Sequence, residues 1–431
     1  MAATNDLPKQ EKKTQKVVVI GQGYVGLPVA MTAVASGFTV VGVDLDDHRI
    51  NGLTQGRSYI GDVSDDTIID ALASERYLPT TEYPKAKAFD FAVITVPTPL
   101  KDSLPDLSFI KNAAQSLGPQ VRKGGTVILE STTYPGTTEE LLVPILEEES
   151  GLKAGVDFYV GYSPERIDPG NKKYGFVETP KVVSGINEAS LEKVDELYSQ
   201  LVNTTVRVSG TREAELTKLL ENTFRHVNIA LMNELAMFAS QLDINIWEAI
   251  DAASTKPFGY MRFTPGPGVG GHCLPVDPSY LSWQVRRQLG QNFRFVELAN
   301  DVNDHMPNYV VQRVMKQLNN VGKAVKGSTI LIVGLAYKRD TSDIRESPAL
   351  KIIELLQNLG ATVQAVDPHV EPYRWPANTA TVDLTQETIK GADLAIVVTP
   401  HQSLNLNLLT ESDTLVFDTQ NVLKGENVER L

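Results

Sequence analysis

The sequence carries the same run of strand ends twice. Val17–Ile20 runs into Gly21, and Thr329–Val333 runs into Gly334. Phe38-Thr-Val-Val-Gly-Val-Asp44 is matched by Ala361-Thr-Val-Gln-Ala-Val-Asp367. Phe89–Pro97 is matched by Ala392–Pro400, and Thr126–Ser131 by Thr414–Thr419. These are short, β-branched, non-alternating runs, the pattern of strands buried on both faces of a parallel sheet. Helical stretches separate them, so each half reads as a doubly wound α/β domain of the Rossmann type. Tyr159–Tyr162 and Val182–Ser184 read as two further strands of the first half. Between the halves the pattern changes. From Arg212 to about Leu242 apolar residues recur at helical spacing without Gly or Pro, which predicts one long helix. More helix is expected over Ile246–Ala253 and Ser279–Gln288, with a Gly/Pro-rich loop from Phe258 to Pro278 between them. The expected fold class is therefore α/β: two Rossmann-like domains with mostly parallel sheets, joined by a central helical block. The expected boundaries are a disordered lead-in over 1–15, a domain over 16–205, the helical block over 206–324 and a second domain over 325–431.

Composition narrows what such a chain does. The 431 residues suit about three domains. A net charge of −13 argues against a general nucleic-acid or anionic-membrane binder. It leaves room for a small anion held by local cations. The single cysteine, Cys273, excludes an internal disulfide and multi-cysteine metal centres, and favours a cytoplasmic setting. The polar N-terminus is no signal peptide, and Val17–Gly37, with four glycines and a proline, reads as strand–turn–helix rather than a membrane span.

Gly21-Gln-Gly-Tyr-Val-Gly26 stands between the first strand and a small-residue helix. In that context Gly21 permits the tight turn, Gly23 leaves space for a pyrophosphate and Gly26 lets helix and sheet meet. The helix start adds free N–H groups for the phosphates. Asp44, at the end of the second strand, is placed to bind a ribose diol and to repel a 2′-phosphate, so NAD is the expected cofactor. Arg49 is near enough to keep NADP as the alternative. The C-terminal copy has one glycine at this turn, and its Gly-to-Asp distance grows from 23 residues (21 to 44) to 33 (334 to 367). Lys338, Arg339 and Arg345 in the insertion suit a different phosphorylated ligand, or form a solvated charged loop.

Cys273 ends a run in which six of the eight preceding residues are Gly or Pro. Beside His272 and Asp277 it is a candidate nucleophile, against the alternative of a small buried hydrophobe. Lys218, Asn222 and Arg225 share one face of the long helix and suit an oxyanion, or form an exposed polar stripe. Asn233-Glu234 is open in the same way. Glu165 follows a strand end, where α/β sites assemble. The six histidines show no metal-ligand spacing, so no metal is expected.

Taken together, several strings resemble the UDP-glucose/GDP-mannose dehydrogenase family. They are Gly21-Gln-Gly-Tyr-Val-Gly-Leu-Pro28, Val96-Pro-Thr-Pro99, Ser131-Thr132 with Pro135-Gly-Thr137, and Ser163-Pro-Glu-Arg166. Lys218-x-x-x-Asn222, Gly270-Gly-His-Cys-Leu-Pro-Val-Asp277 and Lys338-x-x-x-x-Asp343-x-Arg345-x-Ser-Pro348 complete the set. The resemblance runs from about 16 to 425, in the family's order. It implies an NAD-dependent, four-electron oxidation of a sugar nucleotide at C6, with a UDP-sugar as substrate and a homodimer or higher oligomer formed across the helical block. Cys273 is then the nucleophile, forming a thiohemiacetal and later a thioester. Lys218 and Asn222 stabilise the oxyanion, Asp277 handles protons, Glu165 serves hydrolysis and Thr132 orients the water. Cofactor contacts fall on Gly21, Gly23, Tyr24, Val25, Gly26, Asp44, Arg49, Thr98, Thr132 and Arg345. Substrate contacts fall on Glu165, Arg166, Lys218, Asn222, Arg225, Gly270 and Lys338.

Two departures from the glucose branch, Pro169 and Val276, together with Pro265-Gly-Pro-Gly-Val-Gly-Gly-His-Cys273, resemble the branch that oxidises UDP-N-acetylhexosamines. UDP-N-acetylglucosamine and UDP-N-acetylmannosamine are the expected substrates, and the product feeds surface polysaccharide. UDP-glucose 6-dehydrogenase is the nearest alternative. A two-electron β-hydroxyacid dehydrogenase needs no cysteine and no second α/β domain. A non-catalytic NAD sensor needs no glycine-rich cysteine loop.

Overall fold

The computed structural model describes residues 14–101, 104–167, 173–271 and 273–431, without the side chains of Leu100, Lys101, Cys273 and Pro275. Most of the lead-in, His272 and Pro169 lie outside the described residues. The chain divides into two compact units, one ending at Lys218 and the other running Leu219–Leu431.

The first unit is built on β1 (Lys16–Ile20), β2 (Thr39–Val43), β3 (Tyr77–Thr80), β4 (Phe91–Ile94), β5 (Thr126–Leu129), β6 (Tyr159–Tyr162), β7 (Lys181–Gly185) and β8 (Thr205–Arg207). Their order across the sheet is β8-β7-β6-β5-β4-β1-β2-β3. All neighbours are parallel except β6 and β7. β1 shows why its sequence does not alternate. Val17 and Val19 enter one core and Val18 and Ile20 the other, so every residue meets apolar neighbours. Burying each such side chain stabilises the fold by roughly 1.5–3 kcal/mol. Helix α1 (Gly26–Ala35) follows β1 and stops where Gly37 takes φ +94°.

The second unit holds β9 (Thr329–Val333), β10 (Thr362–Val366), β11 (Thr379–Thr381), β12 (Leu394–Val397), β13 (Leu415–Asp418) and β14 (Val428–Arg430). The order is β11-β10-β9-β12-β13-β14, parallel throughout. Each strand of the sequence repeat occupies the same place in its own sheet. β1 and β9 lie at the centre, β2 and β10 to one side, β4 with β5 and β12 with β13 to the other. Ile330 and Ile332 face one core and Leu331 and Val333 another, as in β1.

Helix α2 (Thr211–Gln241) is the long helix expected, 31 residues. It is followed by α3 (Ile246–Ala253), α4 (Cys273–Leu289) and α5 (Arg294–Asn320). The sequence reading placed Cys273 in a loop and began the helix at Ser279; the structure instead makes Cys273 the first residue of α4. Pro278 hid the start, because a proline inside a helix removes an N–H and usually marks its end. Pro307 similarly lies within the 27-residue α5. β4 is also shorter than the expected Phe89–Val96. The carboxylate of Asp90 is drawn out to accept from the Lys16 amide, 2.7 Å. Among the described residues no helix is long and apolar enough to cross a membrane.

Candidate active site

The glycine loop of the first unit has the geometry of a phosphate cradle. Gly21 has φ +89°, and a Cβ there would lie 2.9 Å from the Thr95 carbonyl oxygen. A Cβ on Gly26 would overlap the Gly21 carbonyl oxygen, so only glycine lets α1 approach the strand. A Cβ on Gly23 would meet nothing within 4 Å. The three glycines thus divide their work as the spacing implied: turn, open space, close packing. Val25 caps α1 with no side-chain bond, Tyr24 is exposed, and no acidic residue sits in the first turn. The positive helix end is left for an anion.

Asp44 is buried beside this loop. Its Oδ2 accepts from the Gln22 amide and from Arg49 Nη1, both 2.7 Å, and its Oδ1 from the Asp46 amide, 3.0 Å. Arg49 lies over the Tyr59 ring, 5.1 Å from its centroid. Arg49, the cation that kept NADP open in the sequence, is therefore paired with the Asp44 carboxylate. Thr98 is buried after β4, and Thr132 is half-buried after β5, where Ser131 Oγ donates to the Val96 carbonyl, 2.8 Å.

Glu165 follows β6 and is buried. Its Oε1 accepts from the Ile167 amide, while its Oε2 is buried with no hydrogen-bond partner among the described residues. Arg166 Nη1 donates to the Pro180 carbonyl, 2.7 Å. Sequence reasoning overlooked what lies behind this loop. Lys181 is buried and pairs with Glu130, and its ammonium also donates to the Pro164 carbonyl, 3.2 Å. Tyr198 donates to the same Glu130 oxygen, 2.8 Å. Burial pushes the Glu130 carboxyl up, and Lys181 opposes it. A lysine standing directly before the β-branched pair Val182-Val183 was the available signal. Lys218, the last residue of this unit, is buried on α2.

In the second unit Asn222 Nδ2 donates to Asp277 Oδ2, 2.6 Å, with both residues buried. Asp277 stands one helical turn after Cys273 on α4. Asn222 is thus no surface stripe, whereas Arg225, read as sharing its face, is exposed. Three of the glycines before Cys273 give room to the chain itself. A Cβ on Gly270 would lie 2.7 Å from the Tyr337 side chain and 2.8 Å from the Glu346 carbonyl oxygen. Gly268 meets Pro348, and Gly271 has φ +84° against the Tyr337 ring. The Gly271 amide donates to the Arg345 carbonyl, 2.9 Å. The loop leading to Cys273 is therefore clamped to the basic insertion of the C-terminal sheet. Within that insertion Lys338 is half-buried, and the Arg345 guanidinium is bidentate on Asp343, 3.0 and 2.6 Å.

Asp340, His369 and His401 bring ligand atoms within 4.8 Å of one another, a grouping that linear spacing did not show. It does not fit a metal. His401 Nδ1 accepts from the Asp340 amide and its Nε2 donates to Asp367 Oδ2, both 2.9 Å, so neither ring nitrogen has a lone pair to give. Beside it a cavity of about 340 Å3 opens at the ends of β10–β12, lined in part by Asp367, Trp375, Asp383 and Asn405.

Comparison with known proteins identifies the family. Three models of the UDP-glucose/GDP-mannose dehydrogenase family match the chain: its NAD binding domain over 15–202, its central domain over 212–305 and its UDP binding domain over 331–425. A UDP-N-acetyl-D-mannosamine dehydrogenase of Pyrococcus horikoshii is 34% identical over 95% of this chain and 96% of its own. A UDP-N-acetyl-D-glucosamine 6-dehydrogenase of Salmonella typhi is 37% identical over 90% of each. The solved structure of the P. horikoshii UDP-D-ManNAc dehydrogenase superposes with a TM-score of 0.88 at 33% identity, covering 96% of this chain and 98% of its own. The glycine loop after β1 falls within the NAD binding domain match and Cys273 within that of the central domain; the chain is an NAD-dependent dehydrogenase and a member of the UDP-glucose/GDP-mannose dehydrogenase family.

Proposed function

We propose that this enzyme oxidises C6 of a UDP-N-acetylhexosamine, in its glucosamine or mannosamine form, to the carboxylate, with Cys273 as nucleophile. One observation carries the reading. The only cysteine of the chain heads α4, one turn before a buried aspartate held by an asparagine of α2 at 2.6 Å. A two-electron oxidation of an alcohol has no use for such a cysteine; a four-electron one does, because a thiohemiacetal holds the aldehyde in a form that can lose a second hydride. The names of the relatives from P. horikoshii and S. typhi support the N-acetylhexosamine.

NAD, when bound at the glycine loop and Asp44, takes the hydride in each oxidation. The CH2OH group loses a hydride from carbon and a proton from oxygen, giving the aldehyde. The sulfur of Cys273 adds to the carbonyl carbon, and a proton reaches the oxygen. A second hydride and that proton leave, and a thioester remains. Water then attacks, the C–S bond breaks, and the sulfur regains a proton. The sum consumes one water and yields two NADH per sugar. Lys218 and Asn222 supply a cation and an amide donor to the oxygen where charge develops. Asp277 and Lys218 move protons, while Glu165 and Thr132 serve the attacking water.

The reading assigns 16–205 to NAD, 325–431 to the UDP-sugar and 206–324 to a dimer block. Along α2, Leu220, Phe224, Leu231, Leu235 and Phe238 form an exposed stripe at helical spacing that a second copy would cover. It also places the enzyme in the cytoplasm, with its uronate feeding surface polysaccharide. A panel of UDP-sugars (glucose, galactose and both N-acetylhexosamine forms) with NAD and NADP, scored as NADH per sugar, tests it. Two NADH per N-acetylhexosamine and an inactive Cys273→Ser are expected. A limit of one NADH, or undiminished activity in C273S, refutes it.

A further inference from the structure

The glycine loop before Cys273 has a second tether, on α2. The Gly266 amide donates to Asn233 Oδ1, 2.9 Å. Asn233 Nδ2 donates to Asn303 Oδ1, 2.9 Å. Asn303 Nδ2 points at His226 Nδ1, 3.3 Å, and His226 Nε2 at Asn300 Oδ1, 2.7 Å. Asn233, Asn303 and His226 are all buried, 0–3% exposed. His226 and Asn233 stand two turns apart on α2, and Asn300 and Asn303 one turn apart on α5. Around them the seam between the helices is apolar, with Ala230, Ala299 and Val302 in one cluster.

The polarity of this chain runs one way. Each amide accepts on its oxygen from the loop side and donates from its nitrogen to the far side. The imidazole completes it only as the neutral Nε2–H form, accepting at Nδ1 and donating at Nε2. Reversing one member sets donor against donor or oxygen against oxygen at its neighbour. Burial holds the His226 proton affinity below its ordinary value, which favours that neutral ring. A buried polar chain in which every link is made specifies one arrangement, because a partly made one leaves desolvated groups unpaired.

We propose that His226, Asn303 and Asn233 are positioning residues that fix the glycine loop, and with it the reactivity of Cys273, through this relay. His226 is two side chains removed from Gly266 but one turn from Asn222 on α2, so the double variant of Asn233 and Asn303, neither of them beside Asn222, isolates the relay from that second route. The effect on turnover rests on the nucleophile reading above; the effect on thiol reactivity does not.

Because the chain has one cysteine, the rate of alkylation by iodoacetamide reports on Cys273 alone. Asn233→Ser, Asn303→Ser and their double variant are compared with the parent for this rate, for kcat and for KM of NAD. Each single variant is expected to change alkylation at least about threefold and to lower kcat about tenfold, with KM of NAD within about twofold. The double variant is expected to be no worse than either single, since the relay is cut once. His226→Leu should match the singles, and His226→Gln, which keeps a donor and an acceptor, should recover most of the parent rate. Unchanged alkylation and kcat in folded N303S or H226L overturn the proposal, and so does a double variant whose losses multiply. If the Ser variants fail to fold, the H226L and H226Q pair decides by the same readouts. If C273S proves active, the nucleophile reading falls, and the alkylation arm still decides the relay.

Discussion

Gly23 and Gly26 belong to one motif, and the structure predicts that they fail differently. At Gly23 an added Cβ meets nothing within 4 Å, and φ is not in the left-handed region. Gly23→Ala is therefore expected to fold normally, gaining up to about 0.5–1 kcal/mol from a less flexible unfolded chain. The methyl group fills the space assigned to the pyrophosphate. Losing one or two charge-assisted N–H···O bonds, each worth about 1.5–3 kcal/mol, weakens NAD binding by about 3 kcal/mol, or roughly 100-fold. At Gly26 the methyl overlaps the Gly21 carbonyl oxygen and Thr95 Oγ1, so α1 has to move off the sheet. Overpacking of this kind costs about 1–3 kcal/mol and sometimes more. At the upper end that is a fall of roughly 6–12 °C in Tm for a unit of about 200 residues. Thermal unfolding of both variants without ligand, followed by NAD titration of whichever folds, separates the two effects. NAD affinity in G23A within twofold of the parent would refute the assignment of that space to phosphate. An unchanged Tm in G26A would refute the packing argument.

Asp44→Asn removes the charge that excludes a 2′-phosphate and frees Arg49 to meet one; the NAD-to-NADP ratio of kcat/KM is expected to fall at least about tenfold, and a constant ratio would show that discrimination lies elsewhere. Glu215 caps the turn at Gly136 and Thr138, accepting from both backbone amides and from Thr138 Oγ1. Burial nevertheless pushes its carboxyl up to about 7 from 4.5. The folded state then holds the extra proton between those pH values, so this group's contribution is full below pH 4.5 and is lost as pH rises through 7. Urea unfolding at pH 5 and pH 8 should show the parent losing about 2–3 kcal/mol more than Glu215→Gln over that interval, and parallel curves would refute the shift.

The legibility of this fold follows from burial. Strands at the sheet centres were readable because both faces are covered, so their residues form uninterrupted apolar runs. β5, β6 and β9 run over just the residues expected. Edge strands such as Tyr77–Thr80, Thr205–Arg207 and Thr379–Thr381 were not anticipated; they are short, partly exposed and polar or proline-bearing, which erases the signal. In the site, the cradle was legible because glycine constraints are local. The Asn222–Asp277 bond was half legible, since each residue stood out but their meeting, 55 positions apart, depends on helix packing. The clamp of the cysteine loop by Tyr337 and Arg345 was illegible, because its glycines answer to a chain segment some 70 residues away.

The two α/β copies share a topology, and their matched acids show why only one of them suits a dinucleotide. Asp44 accepts three bonds, one of them from a mobile side chain, Arg49, that a ligand can displace. Asp367 accepts five. The Leu335 and Ala336 amides and His401 bind Oδ2, and the His369 and Val370 amides bind Oδ1. Burial alone would raise this carboxyl, yet these bonds hold it at about 2, so it stays ionised and fully engaged. Four of the five donors are backbone amides, and the fifth is a histidine buried to 1% exposure, so a ribose diol has nothing it can displace cheaply. Where the first copy has the carboxylate proposed to read a ribose, the second has a fixed anchor under the turn that carries Lys338. An anion-binding role for that turn then depends on its basic insertion rather than on an acid-and-glycine cradle. The single glycine at this turn, where the first copy has three, fits that difference.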